Sequence, residues 1–181
     1  SSTLLSIEGA HVLGLDPSSQ AIKAATERFA NDPRLNFIVG TVGDLAESER
    51  FDVVVVRSVL HHVEDPAGLI QRASKLSKNL VILEPNGLNP VLKAIELLSP
   101  YHRQHKERSF SRWLLSRWIR EAGFSVTSLS VGGLVPFFFP DRLVKILVRL
   151  QPAVEKFPFI RWVACGVQIF SCRLTNPTVA P

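Results

Sequence analysis

Two short segments, Phe51–Val56 and Leu80–Leu83, are apolar almost throughout, with VVVV in the first and VIL in the second. Runs this short and this continuous read as parallel strands covered on both faces, since a half-exposed strand would alternate. Weaker strand signals at His11–Leu15 and Asn36–Val39 precede them. Helical spacing fills the gaps. Ser18–Phe29 puts Ala21, Ile22, Ala25 and Phe29 on one face, and Pro66–Leu76 does the same with Leu69, Ile70, Ala73 and Leu76. Ser18 and the Asp65-Pro66 pair are start signals for these helices. Strand and helix alternating over short connections predict an α/β chain with a doubly wound, mostly parallel sheet.

The pattern changes after Pro90. Val91–Leu98 reads as a short helix, followed by the charged loop SPYHRQHKERSF, in which His102 and His105 are candidate lid residues. A helix from Ser111 to Ala122 carries Trp113, Leu114, Trp118 and Ile119 at helical spacing and ends at Gly123, as a C-terminal cap would. A strand, Phe124–Val131, leads to GGLVPFFFP. The amphipathic segment Asp141–Val154 has Val144, Leu147, Leu150 and Val154 on one side and Arg142, Lys145 and Arg149 on the other. FPFIRW reads as a break, Ala164–Leu174 as a last strand, and residues 175–181 as a flexible tail. The organisation expected is one domain over 1–174, with 1–90 the cofactor-binding half and 91–174 the substrate side.

Composition bounds the function. A chain of 181 residues, 46% hydrophobic and 20% charged, suits one globular domain. No run reaches the roughly 18 apolar residues of a membrane span, and no signal-peptide pattern opens the chain. Cys165 and Cys172 are the two cysteines. On a shared strand their odd separation would place them on opposite faces, so they read as unpaired core residues in a reducing, cytoplasmic setting. Without CxxC or a Cys/His cluster, no metal is expected. The net charge of +5 is uneven: residues 1–86 sum to −3 and residues 87–181 to +8. A basic half suits an anionic substrate, an anionic membrane surface or a solvated helix face. Its aromatics do not alternate with the cations as a base-stacking surface requires, so nucleic acid is not expected.

The stretch GAHVLGLDPS ends its strand in Asp16 and turns through Pro17 and Ser18 into the helix. In nucleotide-binding α/β sheets an acid at such a tip holds a ribose, working with a glycine loop about 20 residues earlier. Eight residues precede Gly9, none of them glycine, and the sequence contains no methionine. The first strand and glycine loop are therefore missing from this reading, and an upstream extension is expected, with Ser2–Ile7 as the end of the preceding helix.

In chain order the informative pieces are GLDPS, FIVGTVGDL, FDVVVVRSVLHHVEDP, LVILEPNGLNP and REAGFSV. This series resembles the class I S-adenosylmethionine-dependent methyltransferases over roughly residues 2 to 131, and FDVVVVRSVLHHVEDP is its most distinctive phrase. The resemblance implies a Rossmann-like methyltransferase fold whose sheet gains an antiparallel C-terminal edge. It implies that Asp16 accepts from the ribose hydroxyls of S-adenosyl-L-methionine and that Pro17 lies against the adenine. Thr41, where the family often has an acid, and the backbone of Val42 would address the adenine edge. Arg57, at the tip of its strand, pairs with the cofactor carboxylate or an anionic substrate, or turns to solvent. His61 is the candidate catalytic base for a substrate hydroxyl or amine, its alternative being a packed histidine beside His62. Glu84 and Asn86, at the end of the Leu80–Leu83 strand, are substrate-orienting or turn residues.

The reaction implied is in-line displacement at the sulfonium methyl, in which alignment and exclusion of water do most of the work. The acceptor expected is a small molecule or a lipid-linked one. LVPFFFP, the basic amphipathic helix and FPFIRW suit either peripheral membrane contact or completion of the core. Two other functions stay open: a non-catalytic methyltransferase-like interaction module, and a nicotinamide-dependent oxidoreductase, against which the motif order counts.

Overall fold

The computed structural model describes residues 9–99, 108–133 and 141–175. The expectations for Ser2–Ile7, His102, His105, LVPFFFP and the tail beyond Thr175 lie outside the described residues. The chain divides into two compact units, Ser1–Glu49 and Arg50–Pro181.

In the first unit, strand β1 (Val12–Asp16) pairs in parallel with β2 (Leu35–Val39), bridged by helix α1 (Ser19–Arg28). The Ser18 hydroxyl caps α1 by accepting from the Ala21 N–H, and Ile22 is its buried residue. Gly14 lies against the Phe37 ring so closely that a Cβ there would sit 2.6 Å from it, which explains a glycine inside a strand.

The second unit is a sheet in the order β3-β4-β6-β5, formed by β3 (Val54–Arg57), β4 (Asn79–Pro85), β5 (Phe124–Gly132) and β6 (Val167–Leu174). β4 is parallel to β3, whereas β6 runs antiparallel to both β4 and β5. The reversed strand is thus interior, and β5 takes the edge.

Cross-strand pairs on β4 and β6 define the buried face: Leu80 with Cys172, Ile82 with Phe170, and Glu84 with Gln168. Apolar rungs therefore give way to a polar rung at the carboxyl end of β4. Helices α2 (Pro66–Leu76) and α4 (Arg112–Glu121) cover this face with Ile70, Ala73, Leu115 and Ile119. On the other face Val81 and Leu83 are half-buried. The sequence-based expectation of strands sealed on both faces is met on one face of this unit.

Four expectations differ from the structure for physical reasons. β3 starts at Val54, not Phe51, because the Asp52 carbonyl is taken by Ser77 Oγ and Asn79 Nδ2, at 3.1 and 2.8 Å, not by a strand partner. On α4 the packed face is Leu115, Trp118, Ile119 and Ala122, while Trp113 is 60% exposed, with Arg112 stacked over its ring. FPFIRW is no break. Pro158 opens a short helix, α6 (Pro158–Ala164), where a missing N–H costs nothing. Cys165 caps that helix and does not share a strand with Cys172; both are free and buried. The remaining helices are α3 (Pro90–Leu98) and α5 (Asp141–Lys156).

Candidate active site

The carboxyl ends of β3 and β4 carry the densest polar geometry of the second unit. β3 ends at Arg57, and Ser58 then turns sharply with φ 53°, the single non-glycine residue with positive φ among those described. The Ser58 N–H still reaches the Leu83 carbonyl at 2.8 Å, so the turn begins on the sheet. A 3-10 turn, Leu60–His62, follows, and no side chain of its own caps it.

Glu84 supplies that cap from the neighbouring strand. Its Oε1 accepts the N–H groups of Val59 and Leu60 at 2.8 and 2.9 Å, and its Oε2 lies 2.7 Å from His61 Nδ1. The Glu84 side chain is fully buried and that of His61 is 12% exposed. A buried carboxylate needs such partners, and three contacts to one carboxylate satisfy the need. The His62 ring centroid stands 4.0 Å from that of His61. Among the described residues none bonds His61 Nε2.

Asn86 and Asn89 hold the other end of this region. Asn86 Nδ2 donates to the carbonyls of Trp162 and Cys165, and Asn89 Nδ2 to that of Ala164. Asn89 Oδ1 meanwhile accepts from Val91 and Leu92, capping α3. Asn86 is thus a structural clamp on α6. Gly87 passes so close to the Phe110 backbone that a Cβ would lie 2.4 Å from its carbonyl oxygen, so only glycine fits. Gln168 Nε2 ties Pro85 to Phe110 through both carbonyls.

In the first unit, Asp16 closes β1. Its Oδ1 accepts the Ser18 N–H at 2.8 Å, which fixes the carboxylate in a turn and leaves Oδ2 without a bond from any described residue. Pro17 is exposed. Thr41 caps the 3-10 turn Val42–Asp44 in a reciprocal box. Asp44 Oδ2 accepts both the Thr41 N–H and hydroxyl, at 2.7 and 2.8 Å, while Thr41 Oγ1 accepts weakly from Gly43. These bonds from Thr41 hold the Asp44 carboxyl below its ordinary value of 3.8. The acid of this box is Asp44, three residues on from Thr41. The spacing T-x-x-D in TVGD is the sequence signal for it. Among the described residues no group of three or more His, Cys, Asp or Glu could hold a metal ion.

The fold is of the Rossmann-like methyltransferase class. It resembles magnesium protoporphyrin IX methyltransferase of Synechocystis PCC 6803, solved with bound S-adenosylhomocysteine (SAH), with a TM-score of 0.61 at 19% identity over 92% of this chain and 65% of that one. It also resembles the N-methyltransferase NodS of Bradyrhizobium japonicum WM9, solved in complex with SAH, with a TM-score of 0.58 at 12% identity over 91% and 66%. Residues 2–80 match the family model described as a methyltransferase domain. That match takes in less than half of the chain, and the ordered motifs that follow it resemble those of the class I S-adenosylmethionine-dependent methyltransferases. Among curated relatives, the ubiquinone biosynthesis O-methyltransferase of Vibrio atlanticus (strain LGP32) is 35% identical over 77 residues, covering 41% of this chain and 32% of that protein. Its counterpart in Alkalilimnicola ehrlichii (strain ATCC BAA-1101 / DSM 17681 / MLHE-1) is 30% identical over 134 residues, covering 67% and 54%. The chain therefore spans about a third to a half of the length of these relatives.

Proposed function

We propose that the chain is the methyl-transferring part of an S-adenosylmethionine-dependent O-methyltransferase whose acceptor is a hydroxyl on a small or lipid-like molecule. The observation that carries this is Asp16: an acid at the carboxyl end of a parallel strand, with one oxygen fixed by the Ser18 N–H and the other without a bond from any described residue. A carboxylate in that state can accept from a ribose diol. In the first unit, Asp16 takes the ribose, Pro17 gives the adenine an apolar contact, and Thr41 and Val42 present the box-held turn to its edge. In the second unit, Arg57 meets a carboxylate of cofactor or substrate, and His61 takes the acceptor proton. When bound, S-adenosylmethionine supplies an activated methyl group. The names of the curated relatives support oxygen as the acceptor atom.

Calorimetry with SAH, with NAD run beside it, tests the reading. The expected result is binding of SAH alone. Asp16→Ala should weaken it about 100-fold, the size of one or two lost charge-assisted hydrogen bonds, while circular dichroism stays unchanged. Equal SAH affinity in the variant would remove Asp16 from the site, and preference for NAD would overturn the methyltransferase reading.

Membrane contact and a place at the cytoplasmic membrane surface belong to the same proposal. Ile146 and Leu150 on α5, with Phe157 and Phe159 beyond it, are 50 to 83% exposed and stand among Lys145, Arg149 and Lys156. Exposed apolar side chains among cations suit an anionic lipid surface, through which a lipid-like acceptor would arrive. No described helix is long and apolar enough to cross a membrane.

A further inference from the structure

We infer that Glu84 is a positioning residue that sets the tautomer of His61, holding the proton on Nδ1 so that Nε2 carries the lone pair that receives the acceptor proton. The inference rests on the methyl-transfer reading above. It starts from an asymmetry in what the carboxylate can be. Val59 and Leu60 both donate to Oε1, so that oxygen must be an acceptor. Oε2 lies 2.7 Å from Nδ1, and two N–H groups donating to Oε1 favour the carboxylate form of the group, which accepts only. Nδ1 must therefore carry a hydrogen. In the neutral ring the other nitrogen is then bare, because a neutral imidazole holds one proton. Burial of Glu84 removes water as a competing partner, so the pairing persists.

The two backbone donors also make the arrangement testable. In E84Q the amide oxygen has to face Val59 and Leu60, because an NH2 group turned toward two N–H donors would leave all of them unpaired. The amide NH2 must then face Nδ1, which becomes an acceptor, and the ring proton moves to Nε2. The variant keeps the cap on the turn and reverses the histidine. A merely structural glutamate would not produce that reversal.

Nitrogen-15 NMR of the imidazole, at a pH where the ring is neutral, with His61 assigned by its loss in His61→Gln, reads the tautomer directly and needs no acceptor. The expected result is a protonated Nδ1 and bare Nε2 in the native chain, and the opposite in E84Q. Native His61 protonated at Nε2 alone, a ring charged on both nitrogens throughout the alkaline range, or an unchanged tautomer in E84Q would each overturn the inference. Should E84Q fail to fold, the native spectrum still decides. Titrating the native sample with SAH by calorimetry judges the cofactor reading separately. With an accepted hydroxyl substrate, E84Q should lower turnover on the order of 100- to 10,000-fold, the usual worth of a positioned base, with SAH affinity unchanged.

Discussion

Ser58 leaves β3 in the left-handed region, which a residue with a Cβ enters at a cost of about 1–2 kcal/mol. That strain is compensated locally: it turns the chain so that Val59 and Leu60 donate to Glu84 and His61 joins them. The sequence left His61 between a candidate base and a packed histidine beside His62. Its pairing with Glu84 was not legible there, because it depends on which face of β4 residue 84 occupies and on its neighbour across the sheet. In the first unit, the Thr41–Asp44 box yields a pH prediction. The folded Asp44 carboxyl lies below 3.8 because Thr41 donates to its ionised form. Its contribution to stability is therefore present above pH 3.8 and is lost as pH falls through the lower folded value. An NMR titration should put the Asp44 midpoint below 3.8, and Thr41→Val should move it upward, since the hydroxyl bond is removed while the backbone bond remains.

Helix starts were the most legible elements, since each is written in a short-range code. Asp65 accepts the Gly68 N–H at 2.8 Å and precedes Pro66, and Ser111 accepts from Leu114 at 3.3 Å. Asp65→Ala should cost about 1 kcal/mol, the ordinary worth of a cap, in urea denaturation. A larger loss would mean that Asp65 holds more than α2. Faces were harder than starts. The spacing of Trp113 and Leu114 fits the helix, yet Leu115 and Ile119 are the residues at 0% exposure, because the sheet beneath α4 selects the stripe. Pro158 was misread for the opposite reason: the same residue ends one helix and begins another, and local sequence does not say which.

At the scale of the whole molecule, strand–helix alternation announced the α/β class, and the motif series announced the methyltransferase fold. The strand order was beyond local reading, since the place of β6 between β4 and β5 is decided by pairings between residues far apart in the chain. The uneven charge also belongs here. Co-sedimentation with vesicles of anionic phospholipid should pellet the chain in low salt and release it as salt rises, whereas neutral vesicles should leave it in solution. Phe159→Glu should abolish the pelleting without changing the melting temperature, because that side chain is 83% exposed. Pelleting unaffected by this change would place the contact elsewhere.

The interior position of β6 also constrains how the chain is made. On the ribosome β3, β4 and β5 emerge first, yet β4 and β5 have no common partner until β6 has been synthesised. Until then the apolar edge of β4 is open, and Leu80, Ile82 and Glu84 wait for Cys172, Phe170 and Gln168. The second unit should thus fold in one late step as its final strand is released. Nascent chains stalled before Val167 should be digested by protease, and chains stalled well beyond Leu174 should resist it.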